Sequence, residues 1–244
     1  MRISRFFIDS ILSINHSIEL PSELINYIVN VLRLKAGTDI ILFNGLGGEY
    51  TATLTEVKKR CVIVQINQFI KKDIESPLKI HLFQGISRSE RMDYSIQKAV
   101  ELGVDAITPV FTQRSNAKPS DSKRLDKKQQ HWQKVALSAC EQSGRTSIIK
   151  VNPAIQVGQL NNYSADLKLL LSPDADCCLS DLKESKPQSI NIFIGPEGGL
   201  NDLEIESAIS QQYQKIQLGP RILRTETAGM TTISILQYLW GDLG

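Results

Sequence analysis

Three short loops carry the residues best suited to chemistry, and each directly follows an apolar, strand-like stretch. The first, residues 85–91, brings Arg88 and Arg91 to the start of a predicted helix. Cations at that end oppose the helix dipole, so their presence indicates that an anion approaches it. Ser87 and Glu90 have the spacing of a capping box, which is the purely structural alternative for this loop.

The second loop, residues 195–199, reads Gly-Pro-Glu-Gly-Gly after a buried strand. Glycine permits positive φ and close backbone approach, whereas a tight strand-to-helix turn needs only one glycine. Three glycines beside an acidic side chain therefore favour a loop that lies against a ligand. The spacing is not G-x-G-x-x-G, so a dinucleotide-binding fingerprint is not supported.

The third loop, residues 218–228, presents two arginines, two threonines and a glutamate ahead of an apolar helix. A structural alternative is that Thr225 caps this helix while Glu226 interacts favourably with its first turn. Backbone groups buried in such a loop need hydrogen-bond partners. A bound heterocycle such as adenine would supply them.

The elements that must position these loops change character along the chain. After residue 78, strands that are apolar on both faces alternate with helices, which is typical of a buried, mostly parallel sheet. Such sheets bind ligands at the carboxyl ends of their strands. Before residue 72, short strands surround one helix predicted at 20–34, a pattern typical of a compact β-barrel. The polar, proline-terminated stretch 71–77 then predicts two domains, 1–72 and 73–244.

The formal net charge of +2 conceals an uneven distribution. Residues 1–78 carry a net charge of +1, residues 79–150 carry +6 and residues 151–244 carry −5. A basic stretch attracts a polyanion such as a nucleic acid. A solvated, well-charged surface explains the same count equally well.

Length and composition exclude several classes of protein. With 244 residues, 41% of them hydrophobic, the chain is not a disordered polymer, a collagen-like repeat or a small disulfide scaffold. No apolar run approaches a membrane span, and neither a signal peptide nor a P-loop is apparent. Four cysteines without a C-x-x-C pair and three scattered histidines argue against a metal site. We therefore expect a cytoplasmic protein with reduced thiols.

The paired motifs at 195–199 and 218–228 resemble the signature of the SPOUT methyltransferases. Among these, they are most similar to the ribosomal RNA small subunit methyltransferase E family. Further segments resemble that family's catalytic domain and its PUA-like RNA-binding domain: residues 88–93, 97–103, 132–134, 139–145 and 240–244 for the former, and 2–7 and 31–34 for the latter. The resemblance covers nearly the whole chain and is weakest at residues 171–174.

The resemblance implies an enzyme that uses S-adenosyl-L-methionine, without a metal, to methylate N3 of a uridine in the decoding region of 16S rRNA. The implied fold is α/β: a SPOUT-type parallel sheet with a trefoil knot, preceded by a small PUA-like β-barrel. The implied partners are 16S rRNA, within the 30S ribosomal subunit, and a second copy of the chain that shares the active site. No membrane is involved.

The same resemblance, together with the residue types, assigns roles to individual positions. For catalysis we expect Arg221, Arg224 and Glu226, with Glu226 or a neighbouring group assisting removal of the uridine N3 proton. Residues expected to bind the cofactor are Leu171, Ser172, Gly195, Pro196, Glu197, Gly198, Gly199, Leu218, Gly219, Ile222, Leu223 and Thr227. Residues expected to bind RNA are Arg5, Arg33, Lys35, Arg88, Arg91 and Arg114, with Lys118, Lys123 and Arg124 on the same path.

Two other functions are compatible with parts of the pattern. A non-catalytic RNA-binding or ribosome-assembly factor would use the first domain alone, but both glycine loops and the Arg-Thr-Glu run are intact. A Rossmann-type oxidoreductase would need a G-x-G-x-x-G after an early strand and an acidic residue further on. Neither feature is correctly placed here.

Overall fold

The computed structural model describes residues 3–115, 117, 122–182 and 186–244, and within these the side chains of residues 122–124 are excluded. The described chain divides into two compact units. The first consists of the residues up to Glu75 together with Cys140–Ile148. The second consists of Ser76–Ala139 and Ile149–Gly244.

A five-stranded mixed sheet forms the first unit. Its strands are β1 (Arg5–Phe7), β2 (Ser17–Glu19), β3 (Asp39–Phe43), β4 (Glu49–Lys58) and β5 (Cys61–Ile70). They lie in the order β1-β3-β4-β5-β2, and only the β1–β3 pair is parallel. Alternate residues of β4 and β5 are buried, as period-two strands with one face on a core require.

The helical region of the first unit is less regular than the sequence predicts. Helix α1 spans only Ser22–Asn26 and continues as a π-helical segment, Tyr27–Val31. The wider π-helical turn keeps Ile25 and Ile28 together in the core, where both are buried. The helix predicted at 20–34 therefore occurs at the expected position, but it is shorter than predicted and only its first half is α-helical.

The segment Cys140–Ile148 folds with the first unit, although the sequence places it in the second domain. The side chain of Arg145 forms a buried ion pair with Glu75. Thr146 Oγ1 also donates to the carbonyl of Lys72, at 3.3 Å. These contacts between residues about 70 positions apart hold the segment Cys140–Ile148 in the first unit. The local sequence pattern does not predict them.

The second unit contains a parallel sheet. Its main path runs β12-β10-β11-β6-β7-β8, and β9 also pairs with β7. All described pairings in it are parallel, which confirms the predicted parallel α/β unit. The strands are β6 (Lys79–Gly85), β7 (Ala106–Phe111), β8 (Lys150–Val151), β9 (Ile155–Gln156), β10 (Leu167–Leu171), β11 (Ser189–Ile194) and β12 (Gln214–Ile216).

Four helices accompany this sheet: α2 (Ser89–Glu101), α3 (Ser122–Ser143), α4 (Asp202–Ser210) and α5 (Thr225–Trp240). One face of the sheet buries Phe83, Leu170 and Phe193 in an apolar cluster that includes Ala208 of α4. Helices α2 and α5 pack against each other. Nowhere in the described ranges is a helix both long and apolar enough to cross a bilayer.

Candidate active site

Three neighbouring strands of the second sheet end at one edge. Strand β10 ends at Leu171, β11 at Ile194 and β12 at Ile216, and they pair in parallel. Parallel strands present their carboxyl ends on the same side, where α/β sheets bind ligands. A cavity of about 560 Å³ opens at this edge. The sequence-based location of the site therefore agrees with the position of the cavity.

Most of the predicted cofactor residues line this cavity: Leu171, Ser172, Gly195, Pro196, Glu197, Gly199, Leu218, Gly219, Ile222 and Leu223. Gly198 and Thr227 do not. Of the predicted catalytic residues, Arg221 and Arg224 line it and Glu226 does not. Asp174, Asp202 and Leu200 line it as well, without having been singled out from the sequence.

The loop at residues 195–199 depends on glycine at two places. Gly199 has φ = 71°, and its N–H closes a turn by donating to the carbonyl of Pro196 at 2.8 Å. At the end of β6, a Cβ on Gly85 would lie 2.6 Å from Pro196 Cδ. The loop therefore crosses directly over Gly85, and any larger residue there would displace it.

A buried hydrogen-bond network supports the loop from below. Thr225 Oγ1 donates to the carbonyl of Gly195 at 2.7 Å and accepts from Gln84 Nε2 at 3.0 Å. Gln84 is fully buried in β6, and its Oε1 has no partner among the described residues. The sequence suggested a capping role for Thr225, but Arg224 occupies the N-cap position of α5, and the Thr225 hydroxyl instead links the loop at 195–199 to β6. A lone glutamine in an apolar strand was the available signal for Gln84.

The acidic side chain of this loop meets the first helix of the unit. Glu197 Oε1 accepts from the backbone N–H of Arg88 at 3.0 Å and lies 3.6 Å from Arg91 NH1. A carboxylate is favourable at the N-terminus of α2 because exposed N–H groups and the helix dipole attract negative charge. Within the chain, the anion that approaches Arg88 and Arg91 is Glu197. The capping-box prediction is wrong, since Ser87 Oγ donates to the carbonyl of Gly85.

The stretch after β10 brings further charge to the cavity. Ser172 Oγ donates to Asp174 Oδ1, and Lys215 Nζ lies 3.4 Å from the other oxygen of Asp174. The hydrogen bond from Ser172 is the main cause that lowers the pKa of Asp174, with a smaller contribution from Lys215. Asp174 is therefore held ionised at the cavity, which makes it an anion and a weak base.

The third loop is more open than the second. Ile222 is 86% exposed, although it is apolar, and Arg221 and Arg224 are exposed as well. Glu226 follows in the first turn of α5. Its Oε2 atom is buried and has no hydrogen-bond partner among the described residues. A buried carboxylate oxygen without a partner, two residues after the exposed Arg224 in the sequence, fits a site that a substrate completes.

Family comparisons cover both parts of the chain. Residues 74–237 match the family model described as an RNA methyltransferase domain. Residues 20–67 match the model of an RNA methyltransferase PUA domain. A ribosomal RNA small subunit methyltransferase E from Buchnera aphidicola is 39% identical over 99% of this chain and 98% of its own length. The chain belongs to the ribosomal RNA small subunit methyltransferase E family.

Two solved structures resemble this methyltransferase E family member along its entire length. A ribosomal RNA small subunit methyltransferase E from Neisseria gonorrhoeae, bound to S-adenosylmethionine, has a TM-score of 0.91 at 38% identity and 100% coverage of both chains. A methyltransferase from Legionella pneumophila, also with bound S-adenosylmethionine, has a TM-score of 0.94 at 38% identity and the same coverage. Both relatives thus bind the cofactor that the sequence motifs imply.

Arg5, predicted to bind RNA, has a structural role in this family member. Its Nε and NH2 donate to Glu49 Oε2 at 3.2 and 2.9 Å. Its remaining N–H groups donate to backbone carbonyls of Cys140, Glu141 and Arg145, at 3.1 to 3.3 Å. The Arg5 side chain is only 10% exposed. All five donors of the guanidinium are used inside the first unit, so none is left for a phosphate.

The other predicted RNA contacts fall into two groups. Arg33 and Lys35 are exposed on the first unit, and Arg33 has φ = 53°. On the second unit, Arg88 is exposed, whereas Arg91 and Arg114 border the cavity at the strand ends. Lys118 lies outside the described residues, as do the side chains of Lys123 and Arg124.

A second, smaller pocket of about 270 Å³ lies on the second unit. Its lining contains Ser87 and Ser89 from the start of α2, and Lys127, Lys128, His131 and Trp132 from α3. His131 Nε2 lies 2.8 Å from Asp93 Oδ2. From the sequence, Lys127 and Lys128 read as a solvated helix face, so their convergence on a pocket is visible only in three dimensions.

Within the described residues, no group of three or more His, Cys, Asp or Glu side chains is arranged to hold a metal ion. None of the described cysteines forms a disulfide, and Cys140 is the buried one.

Proposed function

We propose that this chain is an S-adenosylmethionine-dependent methyltransferase that modifies N3 of one uridine in the decoding region of 16S rRNA. We further propose that it acts in the cytoplasm on the small ribosomal subunit. The observation that carries the proposal is the cavity at the ends of β10, β11 and β12, bordered by the loops at 195–199 and 218–223. Membership of the methyltransferase E family supports rRNA as the substrate class.

The chemistry of the cavity suits the cofactor. Its volume of about 560 Å³ lies within the range of about 300–1,000 Å³ that is typical of small-molecule sites. Apolar side chains such as Leu171 and Leu223 offer a surface for adenine, and the backbone of the glycine loops offers hydrogen-bonding groups. The carboxylates of Asp174, Glu197 and Asp202 suit a ligand that carries a sulfonium and an ammonium group. When bound, the cofactor supplies an already activated methyl group.

The chain itself must align the uracil and accept its N3 proton. In the transfer, a bond forms between N3 and the methyl carbon, the bond from that carbon to sulfur breaks, and the N3 proton leaves to a base. We assign the base to Glu226, whose Oε2 has no partner in the described chain. Asp174 is a poorer choice because its pKa is lowered by Ser172.

Arg221 and Arg224 would stabilise negative charge on the uracil oxygens as the proton leaves. Both are exposed, and both border the cavity. Guanidinium groups that are already in place stabilise developing charge more effectively than water, because water must reorient. Closure of the site by RNA would bring these groups and Glu226 to the uracil, so the open third loop supports a macromolecular substrate.

We propose that RNA follows exposed basic residues on both units. On the first unit, the proposed RNA contacts are Arg33 and Lys35. On the second unit, they are Arg88 and the pocket that contains Lys127. Each phosphate contact releases counterions and thus contributes to the salt dependence of binding. Charge reversal at Arg88 is therefore expected to weaken RNA binding and to flatten its salt dependence. An unchanged slope would contradict this path.

Two further properties of the family are proposed for this chain: a trefoil knot around the cofactor site and a homodimer that shares it. The exposed apolar side chain of Ile222 beside the cavity supports a covering surface there. Light scattering after size-exclusion chromatography would measure the mass. A monomer at micromolar concentration would contradict the dimer.

Mapping of 16S rRNA modifications by mass spectrometry, with and without the gene, tests the proposed function directly. We expect loss of a single N3-methyluridine, restored by the intact gene. An unchanged modification pattern, with RNA binding retained, would favour a non-catalytic ribosome-assembly factor. Loss of a methyl group from another nucleotide would keep the enzyme class and change the target.

A further inference from the structure

The turn that follows β7 docks on the glycine loop of the candidate active site. Asn201 Nδ2 donates to Gln113 Oε1 at 2.6 Å, and the backbone N–H of Gln113 donates to Glu204 Oε1 at 2.6 Å. Asn201 and Glu204 also form the capping box of α4. The turn is thus attached to the start of α4, immediately after the loop at 195–199.

Arg114 extends this attachment to the loop itself. Its NH1 donates to the carbonyl of Gly198 at 2.7 Å and lies 3.4 Å from the carbonyl of Leu200. One guanidinium nitrogen therefore spans two carbonyls on either side of Gly199. Hydrogen bonds with a charged donor are stronger than those between neutral groups. They fix the path of the loop where it turns towards α4.

The carbon stem of Arg114 gives a second, independent contact. A Cβ placed on Gly198 would lie 3.0 Å from Arg114 Cβ and 3.2 Å from its Cδ. Gly198 is not among the residues with positive φ, and it does not line the cavity. Glycine at this position is therefore explained by the arginine stem that packs on it, and not by backbone strain or by a ligand.

The same loop forms part of the cavity wall through Gly195, Pro196, Glu197 and Gly199, and Arg114 borders the cavity beside it. A loop whose carbonyls are held in advance loses less conformational freedom when a ligand binds. We propose that Arg114 is a positioning residue for the cofactor: it holds the loop at 195–199 in the shape that binds S-adenosylmethionine. This inference rests on the proposed function and replaces the RNA contact expected for Arg114 from the sequence.

Calorimetric titration of the full-length protein with S-adenosylmethionine tests the role. Arg114→Ala should raise the Kd for the cofactor on the order of tenfold, because a charge-assisted contact with the loop is lost. Arg114→Lys keeps the charge but lacks the planar fork, so its Kd should fall between those of the wild type and the alanine variant. Lys134→Ala, which removes an exposed charge from α3, is the matched control and should bind normally.

Gly198→Ala separates positioning from direct contact with the cofactor. Because its Cβ meets Arg114 and not the cavity, this variant should weaken cofactor binding as Arg114→Ala does. In the double variant, Cγ and Cδ of the arginine are gone and only its Cβ still opposes the added methyl group, so that methyl group should cost less than it does alone. Independent, additive effects would overturn the proposed mechanism.

Steady-state kinetics provide the remaining discrimination. We expect the KM for S-adenosylmethionine to rise in Arg114→Ala while kcat at saturating cofactor changes less than about threefold. Unchanged cofactor binding, with weaker and less salt-dependent RNA binding, would overturn the inference and restore the RNA contact. A wild-type protein that fails to bind S-adenosylmethionine would instead contradict the proposed function, so the two failures are distinguishable.

Discussion

The two loops at the cavity both contain a Gly-Pro pair but are held very differently. The loop at 195–199 receives hydrogen bonds from Thr225 and Arg114, and its Glu197 binds the backbone of Arg88. Residues 218–223 make no hydrogen bond to any other residue in the described part of the chain. We call residues 195–199 the braced loop and residues 218–223 the open loop. Both line the cavity, but the braced loop offers the cofactor a preformed wall, whereas the exposed Arg221 and Ile222 of the open loop also suit a large substrate that completes the site.

The largest effect is expected from Glu226→Gln, just beyond the open loop. If Glu226 accepts the N3 proton, the rate of methyl transfer should fall about 1,000-fold, since general bases contribute about 10² to 10⁴. The Kd for S-adenosylmethionine should remain close to that of the wild type, because Glu226 does not line the cavity. Normal transfer by a variant that binds cofactor would remove the base assignment and weaken the contrast between the loops.

Arg221→Ala tests the open loop at a second position. Loss of one group that stabilises developing negative charge should lower kcat about 100-fold at saturating cofactor. Arg221→Lys should recover part of the rate, since the charge is retained. If the affinity for S-adenosylmethionine falls instead and kcat does not, Arg221 contributes to cofactor binding and not to stabilising charge on the uracil.

Acid should affect the sheet that carries both loops. His81 of β6 is largely buried between Phe83, Tyr163 and Thr108, and burial lowers its pKa from 6.5 to about 4. Between these values the unfolded chain binds a proton that the folded chain does not, so the free energy of unfolding falls as the pH decreases.

In His81→Phe, the loss of unfolding free energy from pH 7 to pH 4.5 should be smaller by about 2.5 kcal/mol. Thr108 keeps a hydrogen bond from Asn152 in this variant. Urea unfolding at the two pH values measures the difference, with His16→Gln as the exposed-histidine control. Identical pH dependence in wild type and His81→Phe would show that His81 does not resist protonation.

Thr225→Val tests the brace and should have the smallest effect. It removes the hydroxyl that joins Gly195 to Gln84, and it should cost about 1–2 kcal/mol of unfolding free energy. Cofactor affinity should fall several-fold. Thr231→Val, on the same helix, is the matched control because the Thr231 hydroxyl has no hydrogen bond to another described residue. Equal unfolding free energies and equal cofactor affinities in the two variants would show that the hydrogen bonds of Thr225 do not stabilise the braced loop.

Much of the second unit could be predicted from local sequence. Apolar runs predict strands at 106–111 and 167–171, and β7 and β10 have these bounds. Apolar periodicity predicts helices at 89–102 and 225–238, and α2 and α5 differ from these by at most two residues at their ends. These elements have strong apolar patterns and clear Gly or Pro boundaries. Predictions failed where a side chain has several available partners. Ser87 and Thr225 were both candidates for helix N-caps, but their hydroxyls donate to the carbonyls of Gly85 and Gly195 instead. The choice among such partners depends on the neighbouring strand, which local spacing does not specify.

The sequence by itself determined the parallel α/β unit, the family and the strand ends at which the cavity lies, because apolar periodicity and the two glycine motifs are local properties. The tertiary structure decided which charges are available. All donors of Arg5 are hydrogen-bonded inside the first unit, to Glu49 and three backbone carbonyls. Arg114 donates to the carbonyl of Gly198, and Lys127 lines a pocket. The residue type alone shows that a side chain is charged. Its partners are residues that only folding brings within a few ångströms, so the sequence does not show them.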